Sequence, residues 1–370
     1  MKLDLTITPL NSWIAGAGKP LIISGPCSAE TENQVLETAK AIAKTGTSTI
    51  FRAGIWKPRT RPNAFEGIGV KGLPWLKRVK QETGLLIATE VANAYHVEEC
   101  LKYGIDMVWI GARTTANPFS VQEIADALKG VDIPVFVKNP IHPDLQLWIG
   151  ALERINKAGI TKLAAIHRGF HSYIEKLYRN TPNWELAIEL KMLCPELPLI
   201  CDPSHICGNT TLLFSVAQKA MDLDMDGLMI ESHCAPQTAL SDKDQQITPD
   251  ELLELVSELV IRDASSKNVL FKNKLEELRS QIDNVDEEIL LAMAERMIIV
   301  KEIGEYKKEN SVTILQIKRW NKILKNQLKT AEKTGLSKEF IKDLYLLVHN
   351  ESIRMQTEIM NRKEMEIKKS

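Results

Sequence analysis

Helix-breaking residues are almost absent from the last third of the chain. No proline follows Pro249, and only Gly304 and Gly335 are glycines beyond residue 261. Proline removes a backbone donor and glycine destabilises helix interiors, so we expect residues 262–370 to be almost entirely helical. The prolines and most of the glycines lie in the preceding part, which must therefore form a different fold. We predict three regions: a first domain over 1–261, a linker over 262–269 and a helical domain over 270–370.

The chain also lacks a dominant charge, a long apolar run and a dense set of cysteines. Its 47 basic and 48 acidic residues nearly cancel, which favours neither nucleic acid nor an anionic membrane as a partner. No stretch approaches the roughly 18 apolar residues that indicate a membrane-spanning helix, and Met1–Trp13 has no signal-peptide pattern. Six cysteines in 370 residues are typical of a reducing compartment rather than of a disulfide scaffold. We expect a cytoplasmic protein that binds neither nucleic acid nor membrane.

Short apolar runs alternate with helical patterns throughout the first domain. Such an alternation predicts a parallel sheet that is covered by helices. Eight units in about 260 residues favour a (β/α)₈ TIM barrel over an open doubly wound sheet. The first run is not followed by Gly-x-Gly-x-x-Gly, which argues against a dinucleotide site. The predicted strands are 20–24, 48–53, 85–90, 106–110, 134–138, 162–167, 198–202 and 226–231.

Each predicted strand leads into polar or charged residues at its C-terminal end. In a parallel barrel these ends meet at one mouth, which is where barrel enzymes have their active sites. Six cations at one mouth repel each other unless anions bind among them, and arginine and lysine suit phosphate and carboxylate. The mouth is therefore expected to bind small substrates with several anionic groups, such as two phosphorylated metabolites. The six cations are Arg52, Lys57, Arg59, Arg113, Lys138 and Arg168.

A second set of residues at the same mouth could hold a metal ion. Cys27 follows the first strand, His205 the seventh, and Glu231 ends the eighth, with Asp242 in the loop beyond. Strands 1, 7 and 8 are neighbours in a closed barrel, so these four side chains can meet. Their mixed sulfur, nitrogen and oxygen donors suit a divalent transition metal and leave Mn, Fe, Co and Zn open. Taken alone, Cys27 could equally be a small buried apolar residue.

Eight motifs in order give the first domain a recognisable resemblance. They are GPCS, RAGIWKPRT, GART, VKNP, HRG, DPSH, IESH and ALSDKDQQ, and together they resemble DAHP synthase of the type I beta kind. That family condenses phosphoenolpyruvate with erythrose 4-phosphate. The resemblance implies that the four possible metal ligands above are the metal site.

The same resemblance assigns the cations and their neighbours to substrates. It implies that Arg113 and Arg168 hold the phosphoenolpyruvate phosphate, and that Arg52, Lys57 and Lys138 face its carboxylate and reacting carbons. Arg59 and Thr60 would bind the erythrose 4-phosphate phosphate. Lys57 would be catalytic, with Glu90 and Ala112 also against substrate. Relatives often carry arginine after DPSH, where this chain has Cys207–Thr211, so its affinity for erythrose 4-phosphate could be weaker. The nearest alternative is the condensation that forms keto-deoxy-octulosonate phosphate.

The helical domain contains an apolar seam with an arginine in it. Apolar residues recur every three or four positions from Leu275 to Ile303, which predicts a packed helix over 269–309 of roughly 60 Å. We predict two more helices, over 313–333 and 337–362. A domain of about 100 residues cannot bury so long a helix, which implies a partner chain or an elongated bundle. We expect a homodimer and leave a higher oligomer open. Arg296 lies on the seam, where an unpaired buried charge is costly, so we expect an internal anion site.

The helical domain resembles the all-helical chorismate mutase class over residues 270–360. The resemblance is carried by LRSQIDNVDEEILLAMAER, by GEYKK and by the residues up to Ser352. It implies that Arg296, together with Arg279 of a partner chain, holds the two carboxylates of chorismate, and that Lys307 and Gln356 contact its ether oxygen. Gln316, Arg319 and Ser352 would complete the site.

Two positions depart from the chorismate mutase pattern, because Gln316 and Trp320 stand where acids are common. Trp320 cannot accept a hydrogen bond from the substrate hydroxyl as a carboxylate would, and mutase activity could be modest. The alternative function is a dimerising module that senses chorismate or prephenate and regulates the barrel.

Overall fold

The computed structural model describes residues 3–14, 18–57, 65–173, 177–263, 265 and 268–367, with side chains as far as residue 362. It divides into two units, Met1–Ala264 and Ser265–Ser370. No helix among the described residues is long and apolar enough to cross a membrane.

The first unit is a closed barrel of eight parallel strands within the described residues. Each strand pairs with the next along the chain, and β8 closes the ring by pairing with β1 from Leu21↔Gly227 to Gly25↔Glu231. The predicted (β/α)₈ class is confirmed, with strand ends that differ by at most two residues from those expected. The strands are β1 (Leu21–Gly25), β2 (Ile50–Arg52), β3 (Leu86–Val91), β4 (Met107–Ile110), β5 (Val135–Lys138), β6 (Leu163–His167), β7 (Leu199–Cys201) and β8 (Gly227–Glu231).

Successive side chains of the strands enter two different cores. Leu21 and Ile23 belong to the core inside the barrel, with Trp109 and Phe136, whereas Ile22 belongs to the core between sheet and helices. This alternation follows from the two-residue period of a strand. Because both faces are buried, the strands are apolar almost throughout, and polar groups are left for the strand ends.

Six of the ten barrel helices begin at a capping side chain. Asn93 accepts a hydrogen bond from the backbone of His96, and Thr248 and Glu251 form a capping box. Each such cap marks the residue at which the preceding loop ends and the helix begins. The helices are α1 (Glu32–Thr45), α2 (Leu73–Thr83), α3 (Ala94–Tyr103), α4 (Ala112–Thr115), α5 (Pro118–Ala127), α6 (Leu145–Lys157), α7 (Trp184–Leu193), α8 (Pro203–Cys207), α9 (Leu213–Asp222) and α10 (Pro249–Glu258).

The second unit consists of three helices in the described residues: α11 (Val269–Glu309), α12 (Ile317–Thr334) and α13 (Lys338–Ile367). The predicted bounds of the first helix are confirmed. The second begins four residues later than expected, because Lys307 donates a hydrogen bond to the carbonyl of Ile314 at 2.6 Å and the segment before Ile317 stays outside the helix. Helix α13 packs against both other helices.

Most of the apolar seam of α11 is uncovered. Only Val300 and Gly304 are buried on this helix, and Gly304 lies close against Ile359 of α13. Ile282, Val285 and Ile289 are each more than half exposed. The seam is therefore longer than the surface that α12 and α13 cover.

Candidate active sites

The mouth of the barrel holds a cavity of about 350 Å³. It lies at the C-terminal ends of the strands, where the sequence predicted a site. Seven of the predicted residues line it: Lys57, Glu90, Ala112, Arg113, Arg168, His205 and Asp242. Arg59 and Thr60 lie outside the described residues. The remaining predicted residues, Cys27, Arg52, Lys138 and Glu231, are buried beside this cavity.

The four possible metal ligands come together as two pairs. The thiol of Cys27 donates to Asp242 Oδ2 at 3.2 Å, and His205 Nε2 lies 3.8 Å from Glu231 Oε1. Among the described residues, no three His, Cys, Asp or Glu side chains converge tightly enough to form a complete metal site.

Positively charged side chains lie directly against two of these donors. The Lys57 ammonium lies 3.0 Å from Cys27 Sγ, and Arg52 pairs with Glu231 Oε1 at 2.7 Å. Burial, with Glu231 next in effect, raises the pKa of the Cys27 thiol to about 12, so the thiol is protonated here. Burial acts against ionisation of Glu231, but His205 and Arg52 outweigh it and lower the pKa of this carboxyl to about 2.

Asp202 orients His205 toward the other donors. It begins helix α8 by accepting from the backbone of His205, and its carboxylate also lies 3.0 Å from His205 Nδ1. The other ring nitrogen is left on the side of Glu231. A carboxylate behind a histidine is the usual arrangement around protein-bound metals. Despite burial, which favours the neutral form, His205 and Lys138 hold the pKa of Asp202 well below its usual value.

The cations at the mouth are held in fixed positions. Arg168 donates to Asn180 Oδ1 at 2.8 Å, and its backbone amide donates to Asn139 Oδ1 at 2.7 Å. Burial lowers the pKa of Arg168 to about 10, and neighbouring Arg179 and Arg113 act in the same direction. Such crowding of like charges is relieved when an anion binds between them.

Glu90 reaches the cavity because the residue beside it in space, Gly111 after strand β4, is a glycine. A Cβ atom on Gly111 would lie 2.0 Å from Glu90 Oε1, so no other residue fits there without moving the carboxylate. The other carboxylate oxygen accepts from the Trp109 indole at 3.3 Å. Together these contacts place an acid among the cations of the mouth.

Sequence reasoning missed Arg179, although this residue lines the same cavity. It donates to Asp242 Oδ1 at 3.0 Å and to Gln245 Oε1 at 2.6 Å. Its stem lies over Gly208, where a Cβ atom would be 2.5 Å from Arg179 Cβ. Arg179 follows no predicted strand directly, so its position gave no signal for a site.

The helical unit encloses a second cavity, of about 330 Å³. Arg296 donates to Ser352 Oγ at 2.8 Å, and Lys307 donates to Gln356 Oε1 at 3.1 Å, so α13 holds these two cations of α11 in place. Six of the seven predicted residues line it: Arg296, Lys307, Gln316, Arg319, Ser352 and Gln356. The seventh, Arg279, is exposed and pairs with Glu276 at 2.6 Å.

Trp320 and His349 form one wall of this second cavity. Their rings are stacked with centroids 4.0 Å apart and planes 17° apart. The sequence identified Trp320 as a departure but did not single out His349, because a lone histidine in a helix has no distinctive spacing.

The geometry thus defines a barrel with a cation-rich mouth, followed by a helical domain with a cationic cavity. Comparison with known proteins identifies both parts. The sequence model of the DAHP synthetase I family matches residues 4–268, and that of chorismate mutase type II matches residues 278–357. The chain belongs to the DAHP synthetase I family and carries a chorismate mutase domain at its C-terminal side. It is therefore a bifunctional enzyme of aromatic biosynthesis.

Individual relatives support the barrel assignment. The chain is 31% identical over 254 residues to the phospho-2-dehydro-3-deoxyheptonate aldolase of Thermotoga maritima, covering 69% of this chain and 73% of the relative. A 2-dehydro-3-deoxyphosphooctonate aldolase of Desulfotalea psychrophila is 27% identical over 266 residues, covering 67% and 91%. The crystal structure of the Thermotoga maritima DAHP synthase matches with a TM-score of 0.58 at 29% identity, covering 64% of this chain and 67% of that one. A truncated form of the same enzyme matches with a TM-score of 0.56.

Proposed function

We propose that the barrel condenses phosphoenolpyruvate with erythrose 4-phosphate to form DAHP and inorganic phosphate. The observation that carries this proposal is the group of held cations around one cavity, with Glu90 and the Cys27, His205, Glu231 and Asp242 donors beside it. Arg113 and Arg168 suit the phosphoenolpyruvate phosphate, because arginine offers paired donors in a fixed plane. The carboxylate and reacting carbons of phosphoenolpyruvate would then be faced by Arg52, Lys57 and Lys138, with Ala112 also against the substrate. The phosphate of erythrose 4-phosphate would be bound by Arg59 and Thr60.

In this proposal the cations of the site stabilise charge that develops during the reaction. The new bond joins C3 of phosphoenolpyruvate to the aldehyde carbon, which leaves positive character at C2. Water adds at C2, and the C–O bond to phosphate then breaks. Fixed charges near the carboxylate and the departing phosphate need little reorganisation as these steps occur, which is the main source of such catalysis. Burial disfavours the charged form of Lys57, but nearby negative charge, including that of Glu231, raises its pKa, so Lys57 carries a proton near pH 7 that it can donate.

We also propose that the barrel binds a divalent transition metal through Cys27, His205, Glu231 and Asp242. The donor types fit Mn, Fe, Co or Zn, and Asp202 already orients His205 from behind. When bound, the metal supplies Lewis acidity to the aldehyde oxygen. Because the Cys27 thiol is protonated in this structure, metal binding must displace its proton as well as the Lys57 and Arg179 contacts.

The condensation is tested by phosphate release from phosphoenolpyruvate and erythrose 4-phosphate after chelation and metal add-back. We expect Cys27→Ala to remain folded and lose metal-dependent activity, with Cys100→Ala, a buried cysteine far along the chain from the site, as control. Full activity of Cys27→Ala without metal would overturn the ligand assignment. Arabinose 5-phosphate as acceptor tests the octulosonate alternative, which the similarity to octulosonate aldolases keeps open.

For the helical domain we propose rearrangement of chorismate to prephenate. The supporting observation is a cavity with Arg296 and Lys307 held in place by Ser352 and Gln356. Two cations suit a carboxylate and the ether oxygen that gains charge in the transition state, and confinement favours the compact conformer. Arg279 is exposed beside the uncovered seam, so we propose that a homodimer brings the partner's copy to this cavity, with a higher oligomer left open.

Chorismate disappearance in the full chain tests the mutase activity. Arg296→Ala should lower the rate by at least 100-fold, because it removes a charged contact made to the reacting substrate. If the intact chain shows no turnover while chorismate or prephenate still changes the condensation rate, the domain is a regulatory sensor instead.

A further inference from the structure

One stripe of helix α13 faces the helical cavity with three polar side chains. His349, Ser352 and Gln356 are spaced by three and four residues, so they lie on the same face of the helix, and all three line the cavity. Ser352 and Gln356 are already engaged by Arg296 and Lys307. Among these three described residues, His349 is therefore the one that is not bonded to a cation of α11.

The ring nitrogens of His349 are available to a ligand. Among the described residues the imidazole has a stacking contact with Trp320 and no hydrogen bond. Burial lowers its pKa, and Arg296 and Lys307 act in the same direction. The ring is therefore neutral near pH 7 and has one nitrogen without a proton, which can accept a hydrogen bond.

The cavity otherwise offers few acceptors. No carboxylate lines it in the part of the chain that the structure describes, and its charged side chains are the cations Arg296, Lys307 and Arg319. Chorismate carries a ring hydroxyl in addition to its two carboxylates, and a buried hydroxyl needs a partner. Ser352 and Gln356 are already hydrogen-bonded to Arg296 and Lys307. The other neutral side chains of the lining that can accept a hydrogen bond are those of Gln316, which is exposed, and His349.

We propose that His349, held in place by the stacked ring of Trp320, contacts the substrate and accepts a hydrogen bond from its ring hydroxyl. This inference rests on the proposed mutase function. It explains how a cavity with tryptophan at position 320 can still recognise the hydroxyl: Trp320 acts as a positioning residue, and the acceptor is supplied from the facing helix.

The test compares chorismate with an analogue that lacks the ring hydroxyl, using the full-length chain. We expect the unaltered protein to show about tenfold lower kcat/KM on the analogue, the effect of losing one buried hydrogen bond. His349→Ala should lose about tenfold on chorismate and should treat the two substrates alike. Trp320→Phe keeps a stacking ring and should retain the discrimination, whereas Trp320→Ala should weaken it.

The controls separate a substrate contact from a general effect on folding. Asn350→Ala alters the next residue of the same helix, which is exposed, and should leave both rates unchanged. If His349→Ala does not fold, His349→Gln replaces it in the test, because glutamine keeps a hydrogen-bond acceptor and should retain part of the discrimination. Complete loss of discrimination in a folded His349→Gln variant would count against the proposal.

Two results would overturn the assignment. Discrimination retained in His349→Ala but lost in Gln316→Ala would give the role to Gln316 and leave the mutase function intact. No turnover of chorismate by the unaltered chain would instead remove the mutase function on which the inference rests.

Discussion

At the scale of single residues, the charged groups of the barrel mouth hold one another across long distances in sequence. Arg52 pairs with Glu231 and Lys138 with Asp202, and both pairs are almost completely buried. Breaking one partner of such a pair is strongly destabilising, since the other charge is left buried without compensation. Removing one of these residues should therefore lower the stability of the barrel as well as its activity.

Gly111→Ala tests whether the position of Glu90 matters for the condensation. The new Cβ atom would lie 2.0 Å from Glu90 Oε1, so the carboxylate must leave its place in the cavity wall. We expect at least a tenfold loss of kcat/KM for the condensation with the fold retained. Gly150→Ala is the matched control, because its nearest neighbour is 4.0 Å away, and it should keep full activity. Equal activity of the two variants would contradict the role of Glu90.

His167 gives the barrel a predictable dependence on pH. Burial, reinforced by Arg168, lowers the pKa of this histidine to about 3. Between pH 6.5 and about 3 the unfolded chain binds a proton on His167 that the folded chain does not. The free energy of unfolding should therefore fall as the pH falls through this range.

His167→Phe removes that contribution and keeps a ring among Trp148, Phe170 and Trp184. Denaturant unfolding at several pH values should then give a flatter acid dependence than in the unaltered chain. The same slope in both proteins would contradict the prediction, whatever the absolute stability of the variant.

At the scale of elements, helix α11 leaves much of its apolar surface uncovered by the other helices of its unit. Its seam is apolar, yet Ile282, Val285 and Ile289 remain exposed where α12 and α13 do not reach. Exposed apolar stripes of this length are typical of surfaces that associate. The same helix carries Arg279 on its exposed part and Arg296 in the cavity.

Ile289→Lys should therefore weaken self-association of the full chain. In a two-fold symmetric dimer the change occurs twice, so we expect a dissociation constant raised by about 100-fold or more. Glu287→Lys introduces the same side chain on the opposite, exposed face of the helix and should have little effect. Sedimentation over a range of concentrations measures both, and equal association of the two variants would exclude the seam as the interface.

At the scale of the whole molecule, the barrel has everything that an independent domain requires. Its sheet is closed, and both of its cores are built from residues before position 264. A chain of residues 1–261 should therefore be soluble and unfold cooperatively, which circular dichroism and denaturant titration would detect. An insoluble or non-cooperative product would count against the proposed boundary.

Local sequence patterns predicted the eight strands, the three C-terminal helices and the residue types of both candidate sites. Apolar runs, the distribution of proline and the spacing of the seam depend on nearby residues, so the eight strands and the long helix α11 could be read directly. Cations after successive strands likewise indicated a mouth that binds anions.

The pairing of side chains, by contrast, depends on how the folded chain brings distant segments together. Arg179 meets Asp242 and Trp320 meets His349 because closing the barrel and packing the helices bring distant segments together. Neither pair has a fixed spacing along the chain, and their residue types are ordinary for a loop or a helix. Local patterns therefore predict where a site can form, whereas contacts between distant segments specify which groups lie together in it.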